Sequence, residues 1–167
     1  PKGSSEASMR ESRYAWLFSH GFDRVALGHH QDDLAETVLL QLIRGSGLDG
    51  FRGMRWVHED KVRPLLAVSR AEILNYATVE KLTWLEDPSN AEDKYTRNKI
   101  RHTVLPALEA TRAGAAQAIA RSAALAADEA DAIDSLARKW VAEMGDGTDV
   151  ARFHSAPKAI ARRALRL

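Results

Sequence analysis

The densest group of chemistry-bearing side chains is Gly28-His29-His30-Gln31-Asp32-Asp33-Leu34-Ala35-Glu36-Thr37. Residues three and four apart share a helix face, so a helix starting here sets Asp33, Glu36 and Thr37 side by side. His29 and His30 come just before, where FDRVAL (22–27) reads as a short, mostly buried strand reaching its end. In open parallel sheets ligands bind beyond the carboxyl ends of the strands. Two carboxylates at such a place can hold Mg²⁺, a hard ion that takes oxygen ligands, with Asp33 the candidate metal ligand, or they can steer an ammonium group. Capping is the competing reading, since acids in a first turn favour the helix dipole. For Asp32 the two readings balance, whereas two acids with two histidines exceed what a cap requires. An HH…D pattern also admits zinc, but no convincing third ligand stands at helical spacing.

Two further groups could meet phosphate. In Arg44-Gly45-Ser46-Gly47-Leu48 the glycines let backbone amides approach an anion, and the arginine adds charge-assisted hydrogen bonds. A helix C-cap followed by a turn explains Gly45 by itself. In Tyr95-Thr96-Arg97-Asn98-Lys99-Ile100-Arg101-His102, Arg97 and Arg101 share one face, while Ile100, Val104 and Leu108 share another. With Lys94, Lys99 and Arg112 against Glu109 alone, this is a basic stripe that suits a nucleotide or an RNA backbone. Charge alone favours a merely solvated face. Arg10 and Arg13, one turn apart, carry the same ambiguity.

The elements that must position these residues follow from periodicity and breakers. A helix over about 6–20 offers Met9, Tyr14, Trp16 and Leu17 as apolar contacts, and Gly21 stops it. After the strand over 22–27 and the turn over 28–30, a helix over about 32–44 has Leu34, Val38, Leu39, Leu42 and Ile43 as its apolar face. Strand, tight turn and amphipathic helix make half of a βαβ unit, which favours a parallel sheet. A glycine-punctuated loop over 45–52 and a hairpin or strand over 55–66 follow. Ser69-Arg70-Ala71-Glu72 fits a capping box opening a helix to about Lys81. Residues 83–85 read as a short strand, 87–90 as a turn, and about 96–110 as a helix bent or restarted at Pro106. Residues 113–143 are Ala-rich, with Ile119, Ala123, Ala126, Ala130, Ile133, Leu136 and Trp140 at three-to-four spacing, which predicts one long amphipathic helix. Gly145-Asp146-Gly147 breaks it, and 157–167 is basic through Lys158, Arg162, Arg163 and Arg166.

Composition bounds the rest. A length of 167 residues suits one medium domain, or one domain plus a helical appendage, and 45% apolar residues are enough for a core. No run of about 18 apolar residues exists, so no membrane span is expected, and nothing points outside the cytoplasm. The absence of cysteine excludes disulfides, thiolate nucleophiles, zinc ribbons and iron–sulfur clusters on these residues. A net charge of +1 gives no bulk case for nucleic acid, leaving only local patches.

In order along the chain, Arg10-Glu11-Ser12-Arg13-Tyr14, GHHQDDLAET (28–37), RGSGLDGFRGM (44–54), RPLLAVSRAEI (63–73), WLEDPSN (84–90) and RNKIRHTVLP (97–106) resemble the tRNA(Ile)-lysidine synthase family of N-type ATP-pyrophosphatases, within the PP-loop superfamily. The likeness covers roughly 7–143. It implies an α/β fold: a partial parallel-sheet domain of the adenine nucleotide alpha hydrolase kind, then a long helix and a helical segment. Residues 1–112 would be the C-terminal part of the catalytic domain, 113–144 a linker helix, and 145–167 the start of a tRNA-binding domain. The activity implied uses ATP and Mg²⁺ to adenylate C2 of the wobble cytidine in CAU-anticodon tRNA(Ile); free lysine then displaces AMP to form lysidine. By position, Asp33, Glu36 and Arg101 would be catalytic. Arg10, Arg13, Gly28, His29, His30, Arg44, Gly45, Gly47 and Arg97 would bind ATP or substrate. A cytoplasmic setting is implied, and a homodimer is compatible with it. The family's SGGxDS loop is not among these residues, and Met9 stands where the family usually has alanine. The expectation is therefore that this chain alone neither binds ATP well nor turns over. The alternatives are another PP-loop tRNA-modifying enzyme, such as a thiolase, or a non-catalytic RNA-binding fragment. The latter accounts for the basic stripe but not for Asp33, Glu36 and His29 together.

Overall fold

The computed structural model describes residues 6–85, 96–145 and 150–167. In chain order its elements are α1 (Glu6–Phe18), β1 (Val25–Ala26), α2 (Gln31–Ile43), α3 (Leu48–Phe51), β2 (Val57–His58), β3 (Lys61–Val62), α4 (Arg70–Val79), α5 (Thr96–Lys99), a π-helical turn (Ile100–Val104), α6 (Leu105–Thr111), α7 (Ala115–Met144), α8 (Val150–Ser155) and α9 (Lys158–Ala164). It is an α/β arrangement in which helices dominate.

The sheet is small and mixed, ordered β1-β3-β2. β1 runs parallel to β3 with Val25 opposite Lys61, and the β2–β3 hairpin is antiparallel. The parallel pair is the one expected from a strand followed by α2. The strand read over 22–27 is regular only at Val25–Ala26. Its ladder is limited by what β3 offers: Val25 N–H donates to the Asp60 carbonyl at 2.8 Å and Leu27 N–H to the Val62 carbonyl at 2.8 Å. The strand read over 83–85 does not form; Trp84 is exposed and Leu85 fully so, with no neighbouring strand to pair among the described residues. The turn read over 87–90 lies outside the described residues.

The core is where α2 meets α7. Leu34, Val38, Leu66, Ala120 and Ala123 cluster with Phe51, Met54 and Ile119, and Ala35, Leu105 and Ala116 form a second group with Leu39. Leu42 and Ile43, expected on the buried face of α2, are 48% and 64% exposed. Cover is concentrated on the first turns of α2, which bury Asp33, Ala35 and Glu36 as well as Leu34 and Val38. On α7 the buried stripe is alanine: Ala116, Ala120, Ala123, Ala126, Ala130 and Ala137. Leu136, expected inside, is 56% exposed, because small residues line the face where other elements approach closely. Glu109 supplies the cap that the α7 start lacks, accepting from Gly114 N–H at 2.8 Å and Ala116 N–H at 2.7 Å.

On α1, Met9 and Trp16 are exposed rather than buried. The face turned to the sheet carries Tyr14 and Phe18, four residues apart, whose rings lie 5.3 and 5.5 Å from the Lys61 ammonium, within cation–π range. The C-terminal basic segment folds back as α9, where Arg163 pairs with Asp49 at 2.6 Å and Asp134 at 2.8 Å. Among the described residues no helix is long and apolar enough to cross a membrane.

The helix read over 96–110 is broken into α5, the π turn and α6. Pro106 has no N–H to give the His102 carbonyl, and its ring crowds that carbonyl. The backbone widens just before it, with Leu105 N–H donating to the Ile100 carbonyl five residues back. Five-residue spacing thus replaces four, and the buried pair is Ile100 and Leu105 instead of Ile100, Val104 and Leu108.

Candidate functional site

The start of α2 is fixed by its own acids. His30, in extended conformation, gives its N–H to Asp33 Oδ2 at 3.1 Å. Asp32 reaches away and accepts the Arg70 N–H at 2.8 Å, tying the α4 start to the α2 start. Its carboxyl is held below the ordinary range chiefly by the His30 ring, 3.6 Å away; burial opposes this, and the Arg70 N–H adds to the lowering. Asp32 thus ties the start of α4 to that of α2, while the capping bond at the α2 start is made by Asp33.

One turn on, the expected face of Asp33, Glu36 and Thr37 meets the arginines of α5 and the π turn. Arg101 gives Nε–H to Glu36 Oε1 at 2.6 Å and Nη2–H to Glu36 Oε2 at 3.0 Å and Asp33 Oδ1 at 2.9 Å. Arg97 gives Nε–H to Glu36 Oε2 at 3.1 Å and approaches Thr37 Oγ1 at 3.5 Å. Glu36 is only 1% exposed, a burial that a carboxylate tolerates when cations and donors surround it. The Arg101 guanidinium is held even more firmly in its charged form by the Glu36 hydrogen bonds. Two negative charges thus face two positive ones.

Parallel pairing of β1 and β3 brings their carboxyl ends together, so Arg63, after β3, meets Gly28 and His29, after β1. Arg63 is 7% exposed and gives Nε–H to His29 Nδ1 at 3.2 Å and Nη1–H to the Arg55 carbonyl at 2.8 Å. Among the described residues a Cβ on Gly28 would meet nothing within 4 Å, so they leave the backbone of that turn open to close approach. Arg63 is the residue that sequence reading missed as a site member. Its signal was an arginine directly after Lys61-Val62 and before Pro64, legible only once β3 is known to lie beside β1.

The remaining expected residues are not brought here. Arg44, Gly45 and Gly47 sit at the far end of α2, about 16 Å from Asp33 at the helical rise per residue. Gly45, at φ 73°, terminates α2: its N–H bonds the Leu42 carbonyl and Ser46 N–H the Gln41 carbonyl, the paired closure of a Schellman motif. Gly47 caps the start of α3. Arg13 is exposed on α1, and the Arg10 side chain lies outside the described part of the structure. A cavity of about 540 Å³ on another side of α2, floored by Leu34, Leu66 and Ala120 and flanked by Trp56, holds none of the expected residues.

Guanidinium edges and an open glycine turn at paired strand ends fit a phosphate-bearing ligand such as ATP. Both Asp33 oxygens accept hydrogen bonds, and no group of three or more His, Asp or Glu among the described residues is placed to hold a metal.

A family model described as the PP-loop domain matches residues 2–108. A protein of Azoarcus sp. named tRNA(Ile)-lysidine synthase is 46% identical over 139 residues, covering 80% of this chain and 31% of its own length. One of the same name from Streptomyces coelicolor is 43% identical over 175 residues, covering 98% of this chain and 50% of its own. The chain thus spans about a third to a half of the curated relatives it matches. Among solved structures, the U34-tRNA thiolase NcsA from Methanococcus maripaludis with its 4Fe-4S cluster aligns with a TM-score of 0.54 at 18% identity, over 72% of this chain and 43% of that one. At that identity the likeness shows the fold.

Proposed function

The chain belongs to the PP-loop domain family, and from that premise we propose that it carries part of the reaction centre of a lysidine-forming tRNA ligase. The observation that carries the reading is the buried Asp33–Glu36–Arg97–Arg101 cluster beside the β1 and β3 ends. Its support is the run of relatives named tRNA(Ile)-lysidine synthase along most of the chain. In the proposed reaction the C2 oxygen of the wobble cytidine in CAU-anticodon tRNA(Ile) attacks the α-phosphorus of ATP, and pyrophosphate leaves. The ε-amine of free lysine then attacks C2, the C2–O bond breaks, and AMP departs while the amine loses a proton.

Arg101 and Arg97 would stabilise charge on the phosphates. Glu36 would hold both guanidiniums in place, and Asp33, less deeply paired, would complete the pocket toward the incoming ammonium group. His29 and Gly28 would line the nucleotide side, with His30 setting the turn. Any Mg²⁺ would ride on the ATP phosphates, where such ions keep several waters and few protein ligands. Arg10, Arg13, Arg44, Gly45 and Gly47 would contribute at the margins. We assign 1–112 to the catalytic domain, 113–144 to a linker helix centred on α7, and 145–167 to the start of a tRNA-binding domain.

The test is a chimera of the Streptomyces coelicolor relative in which this chain replaces the matching segment. The proposal expects ATP-dependent incorporation of labelled lysine into CAU-anticodon tRNA(Ile). A folded chimera that incorporates none would reject it.

A further inference from the structure

We propose that Arg63 is a positioning residue that fixes His29 as the neutral imidazole protonated at Nε2, so that His29 serves as a hydrogen-bond donor and not as a base. The inference rests on the ligase reading for its consequence, but its core is a statement about one ring. A guanidinium has five N–H donors and no acceptor and stays charged throughout the physiological range. The nitrogen that receives a bond from it must offer a lone pair. Arg63 Nε–H points at His29 Nδ1 at 3.2 Å, so Nδ1 carries no proton and the ring hydrogen resides on Nε2.

Arg63 is itself held. It is 7% exposed, and its Nη1–H is anchored on the Arg55 carbonyl at 2.8 Å, so the fork that meets His29 has little freedom. The backbone fixes both ends. Leu27 N–H bonds the Val62 carbonyl at 2.8 Å, which sets the residues after β1 against those after β3. A donor at Nε2 suits an oxygen of a phosphate or ribose, whereas the other tautomer would present a lone pair to it. The same partner logic orients histidines elsewhere: what one ring nitrogen bonds decides what the other can do.

The first measurement uses the 167-residue chain with ¹⁵N-labelled histidine. His29 is expected to show an unprotonated Nδ1 and a protonated Nε2 at neutral pH. In Arg63→Lys, which keeps the charge but not the fork, and in Arg63→Met, those signals should move toward the averaged pattern of a ring exchanging tautomers. Backbone amide spectra of each variant establish that it is folded. A wild-type His29 protonated at Nδ1 would overturn the proposal, as would His29 signals that stay put in both folded Arg63 variants.

The second measurement uses the chimera. A glutamine amide nitrogen takes the place of Nε2, and an asparagine group the place of Nδ1. His29→Gln should therefore fall about tenfold less in kcat/KM than His29→Asn, the worth of one hydrogen bond to a charged group. Arg63→Met should slow the His29 enzyme but add almost nothing to His29→Gln. Equal losses in Gln and Asn variants, or full additivity with Arg63→Met, would contradict the donor role. If the chimera lacks ligase activity altogether, the ligase reading fails while the tautomer is still decided by the first measurement.

Discussion

Glu36 is the residue on which the site's electrostatics turn. It is nearly fully buried, yet three guanidinium N–H groups from Arg97 and Arg101 converge on its two oxygens. A neutral amide of the same shape keeps one acceptor and turns the other into a donor facing a cation. Glu36→Gln is therefore expected to lower stability by about 2 kcal/mol, less than for a fully buried pair because both arginines are partly exposed. The urea midpoint measures it, and an unchanged midpoint would mean the pairs contribute nothing. That Asp33 and Glu36 share a face, and that Arg97 and Arg101 share another, was legible from i, i+3 and i, i+4 spacing. That the two faces meet was not. The partners are more than sixty residues apart, and no local pattern encodes the docking of α5 on α2. The same holds for His29 and Arg63, which only strand pairing brings together.

At the scale of elements, two backbone features place the site, and each gives a prediction. The π turn before Pro106 makes Ile100 and Leu105 the buried pair while Arg97 and Arg101 both reach Glu36. Pro106→Ala returns a donor to the His102 carbonyl and lets the segment relax to α-helix, turning Arg101 relative to Ile100. Thermal stability should hold or rise while lysine ligation by the chimera falls roughly tenfold, the scale of one misplaced charge-assisted bond. A parallel fall in both would point to simple helix disruption. Gly53 is the second feature: at φ 60° its missing Cβ would lie 2.5 Å from Leu34 Cδ1 and 3.0 Å from Val38 Cγ2. Gly53→Ala should cost roughly 2–3 kcal/mol through left-handed strain and overpacking against α2, again read from denaturant unfolding. Sequence gave helix positions well but misjudged which apolar residues are inside. Leu42, Ile43 and Leu136 satisfy the period, but burial follows the neighbours that arrive, and alanines admit them most closely.

At the scale of the whole chain, the C-terminal segment is fastened by charge. Asp49, on α3, binds Arg163 and Arg166 of the last helical region and Arg52, while Asp131, on α7, binds Arg55. The Asp49 carboxyl is held below the ordinary value of 3.8, first by Arg163, and that of Asp131 likewise, first by Arg55. A lowered folded-state pKa contributes stability above the ordinary value and loses it as the pH falls through the lowered one. The α9 amides should therefore stay protected from hydrogen exchange at neutral pH and lose protection below about pH 3.8, in advance of α2. They should also weaken at high salt, since these pairs are partly exposed. Protection of α9 that persists in Asp49→Asn at high salt would show that apolar contact with α7 suffices to hold it.

The central claim is that the carboxylate–guanidinium cluster is the reaction centre and not merely a structural joint. The most direct test compares tRNA-dependent pyrophosphate release and labelled-lysine incorporation in the chimera, for the unsubstituted form, Asp33→Asn and Arg101→Met. Each variant is first checked for folding by its denaturant midpoint. The account predicts that Arg101→Met loses pyrophosphate release and lysine incorporation together, by about a hundredfold, as expected for a charge stabiliser of the first step. Asp33→Asn should lose lysine incorporation more than pyrophosphate release. Folded variants that keep both activities near the unsubstituted level would contradict it and return the cluster to a structural role.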